Sequence, residues 1–591
     1  MPTDPMERLA RLSDRATHIA RGPVKATTLS GAIRRHVKPG SHVHLTSGLN
    51  RPQASVYEVL RAFRGRRMRL TLSCMSLAGP YVLLVTEGLV SKAICAFHGD
   101  TLPTPGPNPM LQQAYAEGRF ELSSWSILSF TQRLLAGALQ LPWMPTNSLA
   151  GSSLVHDPDV LTAGAAVAYR GEGPGPESDG VTAVRALVPD VALVHAPAAD
   201  RYGNVLLGAP FGDHCLGAWA ATQGAIVTVE RIVDPEVVAA HSSQMRLPAE
   251  IVLAVCEAPF GAHPGPLFAG GVSDVVEPYA EDVEFVTAFR KACRDPQAID
   301  EWQHTWVDDG HAAYLSALGT DRLARLRGRA QLGSWRDDIL TSGSVFRADE
   351  ARDTERAVIA GARVLCERVR ERGLETVLAG VGLSNLSAWL ARTKLAADGI
   401  PVQLMVELGM YGYVPAPGDP LLVSNRAAAT ATGLGGVMDI LGLGLARTAS
   451  AGIIGAGQVD RHGHVNSSRT ASGKLLVGSG GSNDVASLCR DVVVVCTQSR
   501  QRFVRDVAYV TAPGSRVGSV ATQHGVLTKD PSSGELVLTH VWGPVKEGVR
   551  EATANCGWEL RAARRVERLA EPTRTELELV RGWDPSELYL G

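Results

Sequence analysis

A six-residue signature occurs twice in this chain. Asp200-Arg201-Tyr202-Gly203-Asn204-Val205 is echoed by Asp460-Arg461-His462-Gly463-His464-Val465, with four of the six positions identical. Each copy follows an apolar run, residues 191–196 and 451–456, and has the Asp and Gly of a tight turn that leads back into a β-run. The repeat extends on both sides. Upstream, Ser47-Gly48-Leu49-Asn50 follows a strand-like segment and precedes a helical pattern, as Gly382-Leu383-Ser384-Asn385 does. Downstream, each copy is followed by an apolar strand, residues 225–229 and 492–496. A chain built this way folds as two related halves.

Alternating β-runs and helical patterns in both halves predict βαβ units with mostly parallel, buried sheets, so the fold class is α/β, twice over. Val358, Ala362, Leu365 and Val369 recur at helical spacing, with Gly373 as a stop, and open the second half. Asn50 and Asp200 are 150 positions apart, whereas Asn385 and Asp460 are 75 apart, which predicts an insertion in the first half, mainly within residues 98–153. Residues 81–85, 421–424 and 474–477 also read as β-runs. The expected organisation is an N-terminal extension (1–26), a first α/β unit (27–307), a joining region (308–350) and a second α/β unit (351–591).

Composition removes several functions. With 20% charged residues and a formal net charge of -2, the 591-residue chain lacks the basic character of a nucleic-acid binder. Its nine cysteines form no CxxC pair, which argues against a disulfide framework or a zinc site and predicts a reducing, cytoplasmic setting. The most apolar long stretch, residues 433–457, contains Asp439, Arg447 and eight glycines, so no membrane span is expected. His42 with His44, and His462 with His464, lack a third ligand at metal spacing. Gly380-Val381-Gly382 lacks the third glycine of a dinucleotide fingerprint.

Two segments carry candidate chemistry. The run 402–406 ends in Glu407-Leu408-Gly409, which places a carboxylate at the C-terminal end of a predicted parallel strand, the edge where open α/β sheets hold ligands. Gly478-Ser479-Gly480-Gly481-Ser482-Asn483-Asp484 precedes a helical stretch, and its backbone N–H groups can converge on an oxyanion. Together they suggest a nucleophile facing an oxyanion hole.

These segments, with Gly380 to Asn385, Gly418-Asp419, His195-Ala196 and Val227 to Glu230, resemble a family I CoA-transferase of the glutaconate CoA-transferase type. The α-like and β-like subunits would be fused in one chain. The resemblance implies two domains packed as a pseudo-heterodimer, with Glu407 as the catalytic residue that becomes acylated. Leu408 stands where a small residue is expected. It further implies Gly480, Gly481, Ser482, Gly382 and Asn385 as oxyanion or CoA contacts. No metal and no permanently bound cofactor is implied, because a thioester is already activated; coenzyme A is the substrate and part of a covalent glutamyl-CoA intermediate.

The expected partners are an acyl-CoA and a carboxylic acid, and a homodimer is expected from the resemblance alone. Met405, Met410, Tyr411 and Tyr413 could shelter the site or simply pack. Glu87, which could offer a second acidic group, and Gln132 and Arg133 in the inserted region are candidate substrate contacts, with an ion pair as the alternative for Arg133. Two other activities stay open: acyl-CoA hydrolysis, including ring-opening chemistry on the same fold, and non-catalytic acyl-CoA binding.

Overall fold

The computed structural model describes residues 4–19, 22–162, 182–342 and 350–591. Two large sheets organise them. In the first lobe the parallel strands are β1 (His42–Leu45), β2 (Leu70–Ser76), β3 (Val90–Phe97), β4 (Glu121–Ser124), β5 (Val191–Asp200), β6 (Gly224–Val233) and β7 (Val252–Glu257). Their spatial order is β7-β6-β5-β1-β2-β3-β4, every neighbouring pair parallel. All ten residues of β5 are buried, as the continuous apolar run of a strand covered on both faces requires.

The second lobe repeats this arrangement. Its strands β8 (Thr376–Ala379), β9 (Gln403–Val406), β10 (Met410–Tyr413), β11 (Ser450–Ile454), β12 (Asp491–Val495) and β13 (Val517–Thr522) include a parallel core in the order β9-β8-β11-β12-β13. That order matches β2-β1-β5-β6-β7 strand for strand. The lobes differ at their edges. Beyond β2 the first lobe adds the parallel strands β3 and β4, whereas beyond β9 the second turns back through antiparallel β10. The extra material of the first lobe thus starts at Val90, ahead of the expected 98–153. It includes a small antiparallel sheet formed by Trp143–Thr146, Val160–Thr162 and Thr182–Arg185.

The repeated signature has one physical cause in both lobes. Asp200 Oδ1 accepts hydrogen bonds from the amides of Tyr202, Gly203 and Asn204, and Asp460 Oδ1 accepts from those of His462 and His464. Gly203 and Gly463 take φ of +107° and +78°, the left-handed region the turn requires.

Four helices are needed to place the site: α1 (Gln53–Phe63), which follows β1, α2 (Ile127–Ala138), α3 (Asp353–Arg372) and α4 (Leu383–Ala397), which follows β8. As the periodicity predicts, α3 packs across β12 and β13 and stops at Gly373, whose left-handed backbone lets its N–H reach the Val369 carbonyl.

Three predicted β-runs take other forms. Residues 79–86 are helical, a 3₁₀ turn through Pro80 running into Val82–Thr86, because a short apolar run cannot by itself distinguish a buried strand from a buried helical turn. Residues 421–424 form no strand, since Asp419 caps the Leu421 amide and Ser424 caps the helix Asn425–Thr430. Residues 474–477 make only an isolated bridge, from Leu475 to Arg469.

One apolar cluster crosses the seam, beside clusters confined to the first lobe. A single buried cluster contains Leu49, Met75, Trp125, Leu128 and Phe130 of the first lobe with Leu386, Met405, Leu408, Ile453 and Val493 of the second. The segment expected to join the two units holds helices Gly310–Leu318, Thr320–Ala330 and Trp335–Ser342. Arg322 ties it to Asp282 on one side, and Asp338 ties it to the buried Arg426 on the other, at 2.7 Å. Among the described residues no helix is long and apolar enough to cross a membrane.

Candidate active site at the seam between the lobes

Glu407 lies in the three-residue link between β9 and β10, at the end of a parallel strand. Gly409, at φ +115°, closes that link by donating its amide to Val406 O at 3.0 Å. A side chain there would strike the Gly435 carbonyl, so the position accepts only glycine. Leu408 points across the seam. Its methyls lie 3.2 and 3.4 Å from where a Cβ on Gly48 would sit, beside Met75.

The segment 478–484 meets Glu407 from the same lobe. Glu407 Oε2 rests directly against Gly481, in the space a Cβ would take. The turn is itself pinned to the first lobe: Gly478 bridges Phe97, the Gly480 amide donates to Ala96 O at 2.9 Å, and the Gly480 carbonyl accepts from the Ile127 amide at 3.0 Å. The Gly480 N–H, expected to face an oxyanion, is therefore already engaged. The Gly481 N–H makes no hydrogen bond among the described residues and is the free donor next to the carboxylate.

Behind the turn, α5 (Ser482–Leu488) carries two side chains into the first lobe. Asn483 Oδ1 accepts from the Leu149 amide and the Ser148 hydroxyl, at 3.1 and 2.8 Å. Asp484 accepts from the Leu128 amide at 3.0 Å and from Ser148 Oγ at 2.5 Å. Its carboxyl is fully buried.

Electrostatics sets Glu407 apart. It is partly buried and accepts no hydrogen bond among the described residues; desolvation, with the charge of Asp484 second, pushes its pKa up to about 8. Asp484 is itself raised to about 6 by burial, but four donors oppose the shift: the amides of Leu128 and Ile127 and the hydroxyls of Ser126 and Ser148. Two neighbouring carboxyls thus titrate apart, the pattern that separates a reactive group from a supporting one.

The remaining candidates fall into two groups. Gly382, at φ +97°, caps α4 and borders open space, while Asn385 donates to Pro420 O at 2.9 Å and its buried Oδ1 has no partner among the described residues. Ser482 Oγ turns back to Ser479 O at 2.7 Å. Ser482 directly follows Gly481, whereas Gly382 and Asn385 belong to the start of α4, beyond the end of β8.

The three proposed substrate contacts have structural partners or none. Glu87 follows a helix, where it accepts from Gln303 Nε2 at 3.0 Å and faces Arg64 at 3.7 Å, so it is bound within the first lobe and not presented as a second acid. Arg133 is 2% exposed, donates to Asp159 and to the Arg185 carbonyl, and stacks over Trp125 at 3.9 Å, so its guanidinium braces the inserted region. Gln132, one position earlier on α2, keeps a buried Oε1 that has no partner among the described residues.

Met405, Met410 and Tyr413 are core residues, the last accepting from Trp389 Nε1, whereas Tyr411 is exposed. Both His42 and His44 reach Ser73 Oγ, and no cluster of three metal-ligating side chains occurs among the described residues. The supporting roles of Asp484, Ser148 and Leu128 had no local signal, because the partners are more than 330 positions apart.

The sequence profile described as Coenzyme A transferase matches residues 26–257. One subunit of the 3-oxoadipate CoA-transferase of Pseudomonas knackmussii is 31% identical over 285 residues, covering 47% of this chain and 92% of its own length. The other 3-oxoadipate CoA-transferase subunit of that organism is 29% identical over 236 residues, covering 34% of this chain and 84% of its own length. Among solved structures, an acyl-CoA transferase of Escherichia coli O157:H7, in a thioester complex with CoA, superposes with a TM-score of 0.62 over 93% of this chain and 96% of that one. At 13% identity it speaks for the fold alone. With sequences like both of those subunits present in one polypeptide, the chain belongs to the coenzyme A transferase family.

Proposed function

We propose that this protein transfers CoA from an acyl-CoA to a carboxylic acid by a ping-pong route through Glu407. Membership of the family and the fold support CoA transfer between a thioester and an acid. The observation that carries the finer reading is the state of Glu407: a desolvated carboxyl that, among the described residues, has no hydrogen-bond partner and is pressed against Gly481, whose amide is likewise unengaged among them. Residues 27–307 and 351–591 are read as the α-like and β-like units, joined by 308–350.

In this reading the Glu407 carboxylate attacks the thioester carbonyl, and collapse of the tetrahedral adduct expels CoA thiolate and leaves a mixed anhydride. The thiolate then attacks the glutamyl carbonyl, releasing the first acid as its carboxylate and leaving a glutamyl-CoA thioester. An incoming carboxylate attacks that thioester, thiolate leaves again, and its attack on the new acyl carbonyl forms the product thioester and restores Glu407.

Each addition places negative charge on a carbonyl oxygen. The Gly481 amide is the proposed donor to it, preorganised because Gly480 is fixed at both ends to the first lobe. A carboxylate deprived of water is the stronger nucleophile, and the anhydride must be kept from hydrolysis, so the apolar seam around Leu408, Gly48 and Met75 serves both needs.

The test is intact-mass analysis after exposure to a panel of acyl-CoA thioesters and borohydride reduction. A reducible adduct that is absent from Glu407→Ala supports the mechanism, and full transferase activity in that variant rejects it. Thioester loss with no second acid present would identify a hydrolase, and an intact thioester would identify a binding protein.

A further inference from the structure

Asp484 has no part in the chemistry described so far, yet, after burial, its charge is what opposes ionisation of the Glu407 carboxyl. It sits three residues beyond Gly481, the residue that Glu407 Oε2 touches, on the short helix α5. Its own surroundings come from the other lobe. Oδ2 accepts the Leu128 amide at 3.0 Å and Oδ1 the Ser148 hydroxyl at 2.5 Å, and both donors belong to the first lobe. The groups that face it there, the amides of Ile127 and Leu128 and the hydroxyls of Ser126 and Ser148, are uncharged donors, and each favours the ionised form.

A buried carboxylate costs free energy unless its oxygens are hydrogen-bonded. The first lobe supplies those bonds and so keeps a negative charge beside Glu407 inside the seam. Charge repulsion at short range and low dielectric opposes ionisation of the second carboxyl.

We infer that Asp484 is a positioning residue for the nucleophile: an anion pinned by first-lobe donors three residues beyond the glycine that Glu407 touches, so that docking of the two lobes fixes a negative charge behind the reactive carboxyl. The inference deepens the proposed role of Glu407 and rests on it for its catalytic meaning, although the coupling between the two carboxyls is a property of the folded chain alone. Without docking, Glu407 would itself meet water, which removes the larger cause of its raised pKa, and the charge of Asp484 would be screened, so Glu407 would return towards an ordinary carboxyl of lower nucleophilicity.

The experiment labels the full-length protein with a water-soluble carbodiimide, whose reaction follows the protonated carboxyl, and reads modification of the Glu407 peptide by mass across pH 4 to 10. Wild type should reach half-labelling near pH 8. Asp484→Asn should move that midpoint down by about one to two pH units. Ser148→Ala, which removes one donor to Asp484 and leaves the charge of the site otherwise intact, should move it in the same direction by less. The acid limb of kcat/KM should shift with the labelling midpoint in both variants.

An unmoved or raised midpoint in a folded Asp484→Asn protein overturns the inference, and Ser148→Ala carries the test should Asp484→Asn fail to fold. If the midpoints shift as expected while acyl-CoA leaves no reducible adduct on wild type, the coupling stands and the transferase mechanism falls.

Discussion

Replacing Glu407 by glutamine should stabilise the protein, and by an amount that depends on pH. The folded carboxyl titrates near 8 against an ordinary value of 4.5, so between those values the native state holds a proton that the unfolded state has released. A carboxyl raised in this way contributes no loss of stability below pH 4.5. Its cost grows as pH rises through the window and is complete above pH 8. Each pH unit of the window corresponds to 1.36 kcal/mol, so the ceiling at pH 9 is about 5 kcal/mol and the cost at pH 7 about 3 kcal/mol.

Glu407 keeps some contact with solvent, which brings the expected gain at pH 9 down to about 2–3 kcal/mol. Glutamine has the shape of the protonated acid and carries no charge past Asp484, so it should recover that amount. The assay is denaturant unfolding of wild type and Glu407→Gln at pH 5 and pH 9, read as the difference in the midpoint of the first transition, because a chain of two lobes need not unfold in one step. Nearly equal midpoints at pH 5 with a clear gain for the variant at pH 9 is the expected result. Equal midpoints at pH 9, or the same gain at both pH values, would refute the claim that the fold holds this carboxyl against its ionisation.

Other substitutions follow from the same geometry. Gly481→Ala sets a methyl where Oε2 now lies, and should lower kcat by about a hundredfold or more through displacement of the nucleophile, with the melting temperature nearly unchanged; steady-state kinetics and calorimetry check the two parts. Gly48→Ala meets both the φ of +92° and the Leu408 methyls, and should cost about 1–2 kcal/mol in urea unfolding. Arg133→Ala should lose about 2–3 kcal/mol of stability from its broken bonds to Asp159 and to the Arg185 carbonyl while preserving the ranking of acyl-CoA substrates, which a competition assay would show. If ionised Glu407 is the nucleophile, kcat/KM at pH 7 should be about a tenth of its alkaline plateau, and a flat profile from pH 6 to 9 would contradict that.

What could be read from the residues was whatever local patterning encodes. The Asp-Arg-x-Gly turns, the α3 helix with its Gly373 stop, the buried β-runs and the carboxylate at the end of β9 depend on neighbours within a few positions, and each is visible in sequence. The parallel order common to both sheets follows from the repetition of those units. Failures began where two conformations share one local pattern, as at residues 79–86, or where capping competes with a strand, as at 421–424. The division of labour within the glycine turn was beyond reach for a different reason. Whether Gly480 or Gly481 keeps a free amide depends on Ala96, nearly four hundred positions away, and no periodicity reports on that.

The same long-range dependence leads to a stronger expectation about the chain as a whole. Glu407, the turn against it and Asp484 all belong to the second lobe, but the turn is fixed by Ala96 and Ile127, Asp484 by Leu128 and Ser148, and Leu408 lies on Gly48. A single apolar cluster also runs through both lobes, so separation would expose core-like surface and not a polar interface. Covalent continuity is then dispensable, provided the lobes have once folded together. A protease site placed between residues 342 and 350 and cut in the native protein should leave two pieces that co-elute as one particle, with unchanged kcat and an unchanged Glu407 labelling midpoint. Pieces that separate on gel filtration would show that the joining region, and not the seam, holds the site together.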